Sequence, residues 1–142
     1  MEYQLSNLEA SNNFAVDLAK QLLASKDDTT LLFYAGMGCG KTTLIRELGH
    51  ALGIQGKITS PTFVGMNEYH LGSLDFYHYD LYQVGIVFED FAEILESAKR
   101  KIVCIEWAEQ LGQSIMLLIE KNTKVMKVKI DLDDETRIVQ VN

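Results

Sequence analysis

The chain has 142 residues, 47% of them apolar, which suits one folded domain with a substantial core and excludes a disordered tail. Its formal net charge is -7 and its sequence pI is 4.9, so it is a poor non-specific binder of nucleic acid, whose phosphates are held mainly by Lys and Arg. Any action on RNA or DNA calls for a partner that supplies most of the grip. A local anion site remains open, since one loop of backbone N–H groups and a single Lys can create it.

The two cysteines, Cys39 and Cys104, have no metal or redox spacing, and no disulfide between them is expected. Met1 to Ser11 lacks the apolar stretch of a secretion signal, and no apolar run approaches the roughly 18 residues that span a bilayer. A soluble protein of a reducing cytoplasm is the expectation.

Phe14, Ala15, Leu18, Ala19 and Leu22 have the spacing of an amphipathic helix over Ser11–Ala24, with Ser6 or Ser11 as its cap. Lys26 to Asp28 is a polar turn, and Thr30–Tyr34 is a short β-type run ending at a glycine-rich segment. Helical spacing returns over Lys41–Leu52 through Leu44, Ile45, Leu48 and Leu52, and Gly53 stands where a helix C-terminus favours glycine. Strand, loop and helix make half of a βαβ unit, which points to a parallel sheet covered by helices. Pro61 closes the segment Lys57–Thr59, and Gly72-Ser73 separates two strand-like runs, Phe63–Tyr69 and Leu74–Leu81, that can pair as a hairpin. Phe88–Ala98 reads as a helix, and Ile102–Ile105 as a strand buried on both faces. From Met116 to Val141 polar and apolar residues alternate, with turns near Asn122 and Asp133-Asp134, which predicts antiparallel strands added at one edge. The expected fold is a single α/β domain over residues 1–142 with a central, mostly parallel sheet.

The strongest chemical signal is Ala35-Gly36-Met37-Gly38-Cys39-Gly40-Lys41-Thr42-Thr43, which fits the phosphate-loop pattern with Ala35 in place of its first glycine. Gly36, Gly38 and Gly40 let the backbone curl and bring its N–H groups to an anion. Lys41 can reach the β- and γ-phosphates as a point charge, and the Thr42 hydroxyl can ligate Mg²⁺, a hard cation that prefers oxygen. A preceding apolar strand and a following amphipathic helix are the context that separates this motif from a chance glycine-rich turn.

Such a loop needs an acid at the end of a neighbouring buried strand. Lys101-Ile102-Val103-Cys104-Ile105-Glu106-Trp107 supplies Glu106, which can hold Mg²⁺ directly or through water. Trp107 can shape a nucleotide pocket, dock a partner or belong to the core. In Leu74–Asp80, strand alternation puts Phe76, His78 and Asp80 on one face and Tyr77 and Tyr79 on the other. Asp80 can polarise water or stand as a solvated acid, and His78 reads as a partly buried structural residue rather than a base. Thr62, in Thr59-Ser60-Pro61-Thr62-Phe63, lies either on a switch-like loop that can approach Mg²⁺ or on a proline-fixed turn.

Gly38-Cys39-Gly40-Lys41-Thr42-Thr43, Thr59-Ser60-Pro61-Thr62-Phe63, Asn67-Glu68-Tyr69, Tyr77-His78-Tyr79-Asp80-Leu81-Tyr82 and Ile105-Glu106-Trp107, in this order, resemble the bacterial TsaE (YjeE) family over nearly the whole chain. The resemblance implies a P-loop NTPase-like fold and an ATPase that uses ATP and Mg²⁺. Its implied role is to support N6-threonylcarbamoyladenosine synthesis on tRNAs reading codons that begin with A. Its implied partner is a TsaD–TsaB heterodimer, with tRNA reached only through that pair. By the same resemblance Lys41 grips phosphate, Thr42 and Glu106 attend Mg²⁺, Thr43 lies near the α-phosphate, Asp80 is tied to hydrolysis, Trp107 stands beside the site, and Thr62 belongs to a switch-like loop. Ser11 and Arg137 fall near family positions that approach the adenine end. The family loop begins Gly-Asp-Leu-Gly-Ala-Gly-Lys, so Gly36 lacks the acid and Cys39 introduces an oxidisable thiol. A small-molecule kinase and a non-catalytic ATP-sensing module are the competing readings.

Overall fold

The computed structural model describes residues 1–36 and 38–142. Among these residues lies one seven-stranded sheet, in the spatial order β1-β7-β6-β2-β5-β4-β3. The strands are β1 (Glu2–Leu5), β2 (Thr29–Tyr34), β3 (Met66–Leu71), β4 (Leu74–Asp80), β5 (Arg100–Glu106), β6 (Lys124–Asp133) and β7 (Thr136–Val141). The helices are α1 (Leu8–Ala24), α2 (Lys41–Leu52), α3 (Phe88–Glu96) and α4 (Gln113–Asn122). β6, β2, β5 and β4 run parallel, while β3, β7 and β1 pair antiparallel at the two edges. This is the α/β architecture expected from the sequence, with a parallel core, flanking helices and antiparallel strands towards the C-terminal end.

The central strands are apolar on both faces because both faces are covered. Leu31, Phe33, Ile102, Cys104 and Phe76 pack with Phe14, Leu18, Leu44, Ile45 and Leu48 of α1 and α2. Leu32, Val103, Ile105, Tyr77 and Tyr79 pack on the other side with Phe91 and Leu95 of α3 and Ile115 and Ile119 of α4. β4 therefore presents Phe76, His78 and Asp80 to the α2 side, as its alternation predicts. α2 is closely packed at Gly49, where an added Cβ would stand 2.7 Å from Ile58 Cδ1 of the following loop and 3.7 Å from Phe76 Cε2 of β4. Gly53 closes the helix in the left-handed region at φ 116, its N–H donating to the Gly49 and His50 carbonyls.

Four sequence expectations are corrected. α1 begins at Leu8, because Asn7 Oδ1 accepts from the Ala10 N–H at 2.8 Å; this Asn cap displaces Ser6 and Ser11, and Ser11 is buried on the helix instead. The first hairpin strand starts at Met66, not Phe63, because residues 62–64 form a turn that Gly65 ends at φ 88. α3 stops at Glu96 rather than Ala98. Most consequentially, Met116–Asn122 belongs to a helix, since Ile115 and Ile119, four apart, bury together against the α3 side of the sheet. β6 then enters the sheet interior parallel to β2, and only β7 and β1 lie beyond it. β1 was absent from the sequence reading; its partner β7 lies at the far end of the chain.

Phe76 is fully buried between β5 and α2. Phe76→Ala is expected to destabilise the fold by about 3–5 kcal/mol, measured by urea denaturation.

Candidate functional site

The parallel register places the ends of three strands side by side: Phe33 of β2 pairs with Glu106 of β5, and Glu106 pairs with Asp80 of β4. The glycine-rich loop leaves β2 at Ala35 and returns into α2, so the first turn of that helix stands over these strand ends. Gly38 and Gly40 adopt φ 77 and 81, a backbone region that a side chain makes costly. Met37, assigned to this loop by the sequence, lies outside the described residues.

A cavity of about 200 Å³ opens here, lined by Gly38, Lys41, Thr42, Thr62, Asp80, Tyr82, Glu106 and Trp107. Thr42 Oγ1 donates to Glu106, at 3.0 Å from Oε1 and 3.2 Å from Oε2. Glu106 is 2% exposed, and a carboxylate so buried is held by hydrogen-bond donors or not at all. Its second donor is His78 Nε2, 2.5 Å from Oε2. His78 is fully buried, not partly buried as the sequence suggested.

Asp80 is held by different partners. Its Oδ1 accepts from the Tyr82 N–H at 3.0 Å and its Oδ2 from the Thr62 hydroxyl at 2.8 Å. Ser60 Oγ stands 2.7 Å from Thr62 Oγ1, and Asn67 Nδ2 donates to the Thr59 carbonyl at 3.1 Å. The loop that carries Thr62 is thus tied at one end to β3 and at the other to the acid of β4. Beyond it, Phe63 is 83% exposed.

Lys41 donates to the Ala35 carbonyl at 3.1 Å, which closes the glycine-rich loop across its mouth. Its ammonium lies 3.8 Å from the centre of the Trp107 ring, a cation–π contact with the best aromatic partner for it. Trp107 holds φ 59, a left-handed conformation that costs a bulky L-residue about 1–2 kcal/mol. The turn sets its ring over Lys41 and 5.1 Å from the ring of Tyr82.

Ser11 and Arg137 also meet, although not in this cavity. Arg137 Nη2 donates to Ser11 Oγ at 2.8 Å and Nη1 to the Gly40 carbonyl at 3.4 Å, while Ser11 Oγ donates to Glu47 Oε1 at 2.8 Å. A Cβ on Gly40 would lie 2.5 Å from Arg137 Nη1, so the guanidinium fills the space that glycine leaves. Gly36 is exposed, whereas Cys39 and Thr43 are partly buried, the latter in the first turn of α2.

The structure thus brings Gly38, Lys41, Thr42, Thr62, Asp80, Glu106 and Trp107 to one cavity and sets Ser11 and Arg137 behind the loop. Sequence reasoning missed two participants, His78 and Tyr82. The signal for His78 was its place two residues before Asp80 on the same strand face; Tyr82 stood in the motif Tyr77–Tyr82 that carries the family resemblance but was given no role. Among the described residues, no cluster of three or more His, Cys, Asp or Glu side chains gathers to hold a metal ion. The donors at hand are instead one hydroxyl and one carboxylate in contact, a hard-oxygen pair that fits Mg²⁺ better than zinc or copper. Among the described residues no helix is long and apolar enough to cross a membrane.

Fold and site together define an α/β protein whose glycine-rich loop and helix N-terminus meet two acids at the carboxyl ends of a parallel-cored sheet. Residues 5–139 match the family described as threonylcarbamoyl adenosine biosynthesis protein TsaE. The chain is 36% identical to the tRNA threonylcarbamoyladenosine biosynthesis protein TsaE of Synechocystis sp., over 80% of this chain and 73% of that one. It is 30% identical to the protein of the same name from Rickettsia prowazekii, over 99% and 93%. The crystal structure of Bacillus subtilis YdiB shares the fold, with a TM-score of 0.68 at 24% identity, covering 98% of this chain and 82% of that one. The chain belongs to the TsaE family.

Burial, and after it the Glu106 carboxylate, push the Cys104 thiol far above the usual thiol range, whereas Cys39 stands at the partly exposed loop. A thiol reagent is therefore expected to label the native protein at Cys39 alone, with Cys104 reacting only after denaturation; mass spectrometry of the labelled peptides reads the difference.

Proposed function

We propose that this chain binds ATP with Mg²⁺ at the glycine-rich loop and hydrolyses it in support of N6-threonylcarbamoyladenosine formation on tRNA, acting on a TsaD–TsaB pair. The observation that carries the nucleotide part is the contact of the Thr42 hydroxyl with the Glu106 carboxylate beside Lys41, at the N-terminus of α2. The tRNA part rests on membership of the TsaE family and on the names its relatives carry.

Each side chain has a task in this reading. Lys41 leaves the Ala35 carbonyl and the Trp107 ring to meet phosphate oxygens, and the loop N–H groups with the positive end of α2 add to the attraction. Thr42 and Glu106 would hold Mg²⁺, which when bound neutralises phosphate charge. Asp80, with both oxygens held by Tyr82 and Thr62, keeps a fixed lone pair towards the cavity and can orient a water there. Thr62 links that acid to its loop, so a change at the site can move Phe63 at the surface. With net charge -7, the chain leaves tRNA phosphates to its partners.

The test is modified-adenosine formation by TsaD–TsaB under multiple turnover with wild-type chain, Lys41→Ala or no chain. Wild type is expected to sustain turnover and Lys41→Ala to match the reaction without chain; three equal rates would defeat the tRNA role. Asp80→Asn is expected to lower ATP hydrolysis about 10²-fold or more while leaving nucleotide binding within a few-fold, measured by phosphate release and equilibrium binding.

A further inference from the structure

His78 is an expensive residue for its place. It is completely buried, on a strand face shared with Phe76 and beside Cys104 in register, where an aliphatic side chain would fill the space without a polar atom. Its two ring nitrogens are used unequally. Nε2 stands 2.5 Å from Glu106 Oε2, whereas Nδ1 is buried without a hydrogen-bond partner among the described residues. A carboxylate only accepts, so Nε2 carries the hydrogen of this contact, while Nδ1 has no partner of its own among the described residues. The fold tolerates that unpartnered nitrogen, and Glu106 gains a donor from the sheet side.

The geometry explains what the donor does. Asp80 and Glu106 are cross-strand neighbours, and His78, two residues before Asp80, is the diagonal neighbour of Glu106. Thr42 reaches both oxygens of Glu106 from the helix; His78 takes Oε2 from the sheet. Two donors from two different elements define the plane of the carboxylate and leave it no free rotation. Asp80 is restrained separately by Tyr82 and Thr62, so the two neighbouring acids share no donor.

We infer that His78 is a positioning residue, whose Nε2–H fixes the Glu106 carboxylate against Thr42 and thereby sets the affinity of the site for magnesium. The inference rests on the nucleotide role proposed above and adds a residue to it. It is specific to the metal: among the described residues the His78 side chain hydrogen-bonds to Glu106 and not to Lys41 or the glycine-rich loop, so metal-free nucleotide binding does not depend on it.

The experiment measures the magnesium midpoint for binding of a fluorescent, non-hydrolysable ATP analogue by anisotropy, alongside binding in EDTA and thermal unfolding without ligand. The variants are His78→Gln, whose amide N–H can take the place of Nε2–H, His78→Asn, whose shorter amide cannot reach Glu106, and His78→Leu. His78→Leu and His78→Asn are expected to raise the magnesium midpoint about 10-fold or more, the usual effect of losing a group that orients a metal ligand. His78→Gln is expected to stay within about threefold of wild type, and binding in EDTA to stay within about twofold for all. If His78→Leu does not fold, Gln and Asn decide the matter between them, since both are polar and differ in reach. Equal midpoints for those two variants, or a midpoint unmoved by His78→Leu, would overturn the role of His78 alone. A wild-type chain with no magnesium-dependent binding would overturn the nucleotide reading itself, and this inference with it. Independently of any ligand, nitrogen-resolved NMR of the free chain is expected to show the His78 proton on Nε2; a proton on Nδ1 alone would refute the contact.

Discussion

Everything at the site depends on the parallel register of β2, β5 and β4. Because Phe33 pairs with Glu106 and Glu106 with Asp80, three strands end at one level, and the loops that follow them converge. A slip of one residue would turn Glu106 to the α3 side and bring Trp107 in its place, since strand side chains alternate. Burial of β5 on both faces makes such a slip prohibitive: Ile102 and Cys104 belong to one half of the core, Val103 and Ile105 to the other. Core packing therefore fixes a site that contains hardly any core residue.

The site spends polar groups in a region that is largely dry. Lys41, His78, Asp80 and Glu106 are all buried, and each is answered by a named partner. Partners come from different elements, so the network joins strand, helix and loop instead of satisfying each locally. The chain from Thr42 through Glu106 to His78 lies within the body of the protein. The chain from Asp80 through Thr62 leads outward to exposed Phe63. One acid is thus tied to the scaffold and the other to a surface loop.

The two ends of the chain close the rear of the loop. β1 pairs with β7, and Arg137 of β7 reaches Ser11 of α1 and the Gly40 carbonyl. The left-handed turn at Gly40 admits the guanidinium because there is no Cβ to meet it. Two residues that carried little meaning separately, one near each terminus, become a single support for the glycine-rich loop.

Local pattern determined a good part of this protein. The glycine-rich segment, the helix Lys41–Leu52 with its terminal glycine, the buried strand ending at Glu106 and the face shared by Phe76, His78 and Asp80 are all written in short stretches whose chemistry admits few alternatives. The family was legible from the order of its motifs. Tertiary structure decided the rest. The expectation of a strand from Met116 fails because Ile115 and Ile119 find a common burial only as a helix. Glu2–Leu5 is a strand only because β7 offers an edge. His78 becomes a partner of Glu106 only when β4 lies beside β5. In each case the deciding contact joins residues distant in sequence, and no local spacing can state what a side chain will meet across a sheet.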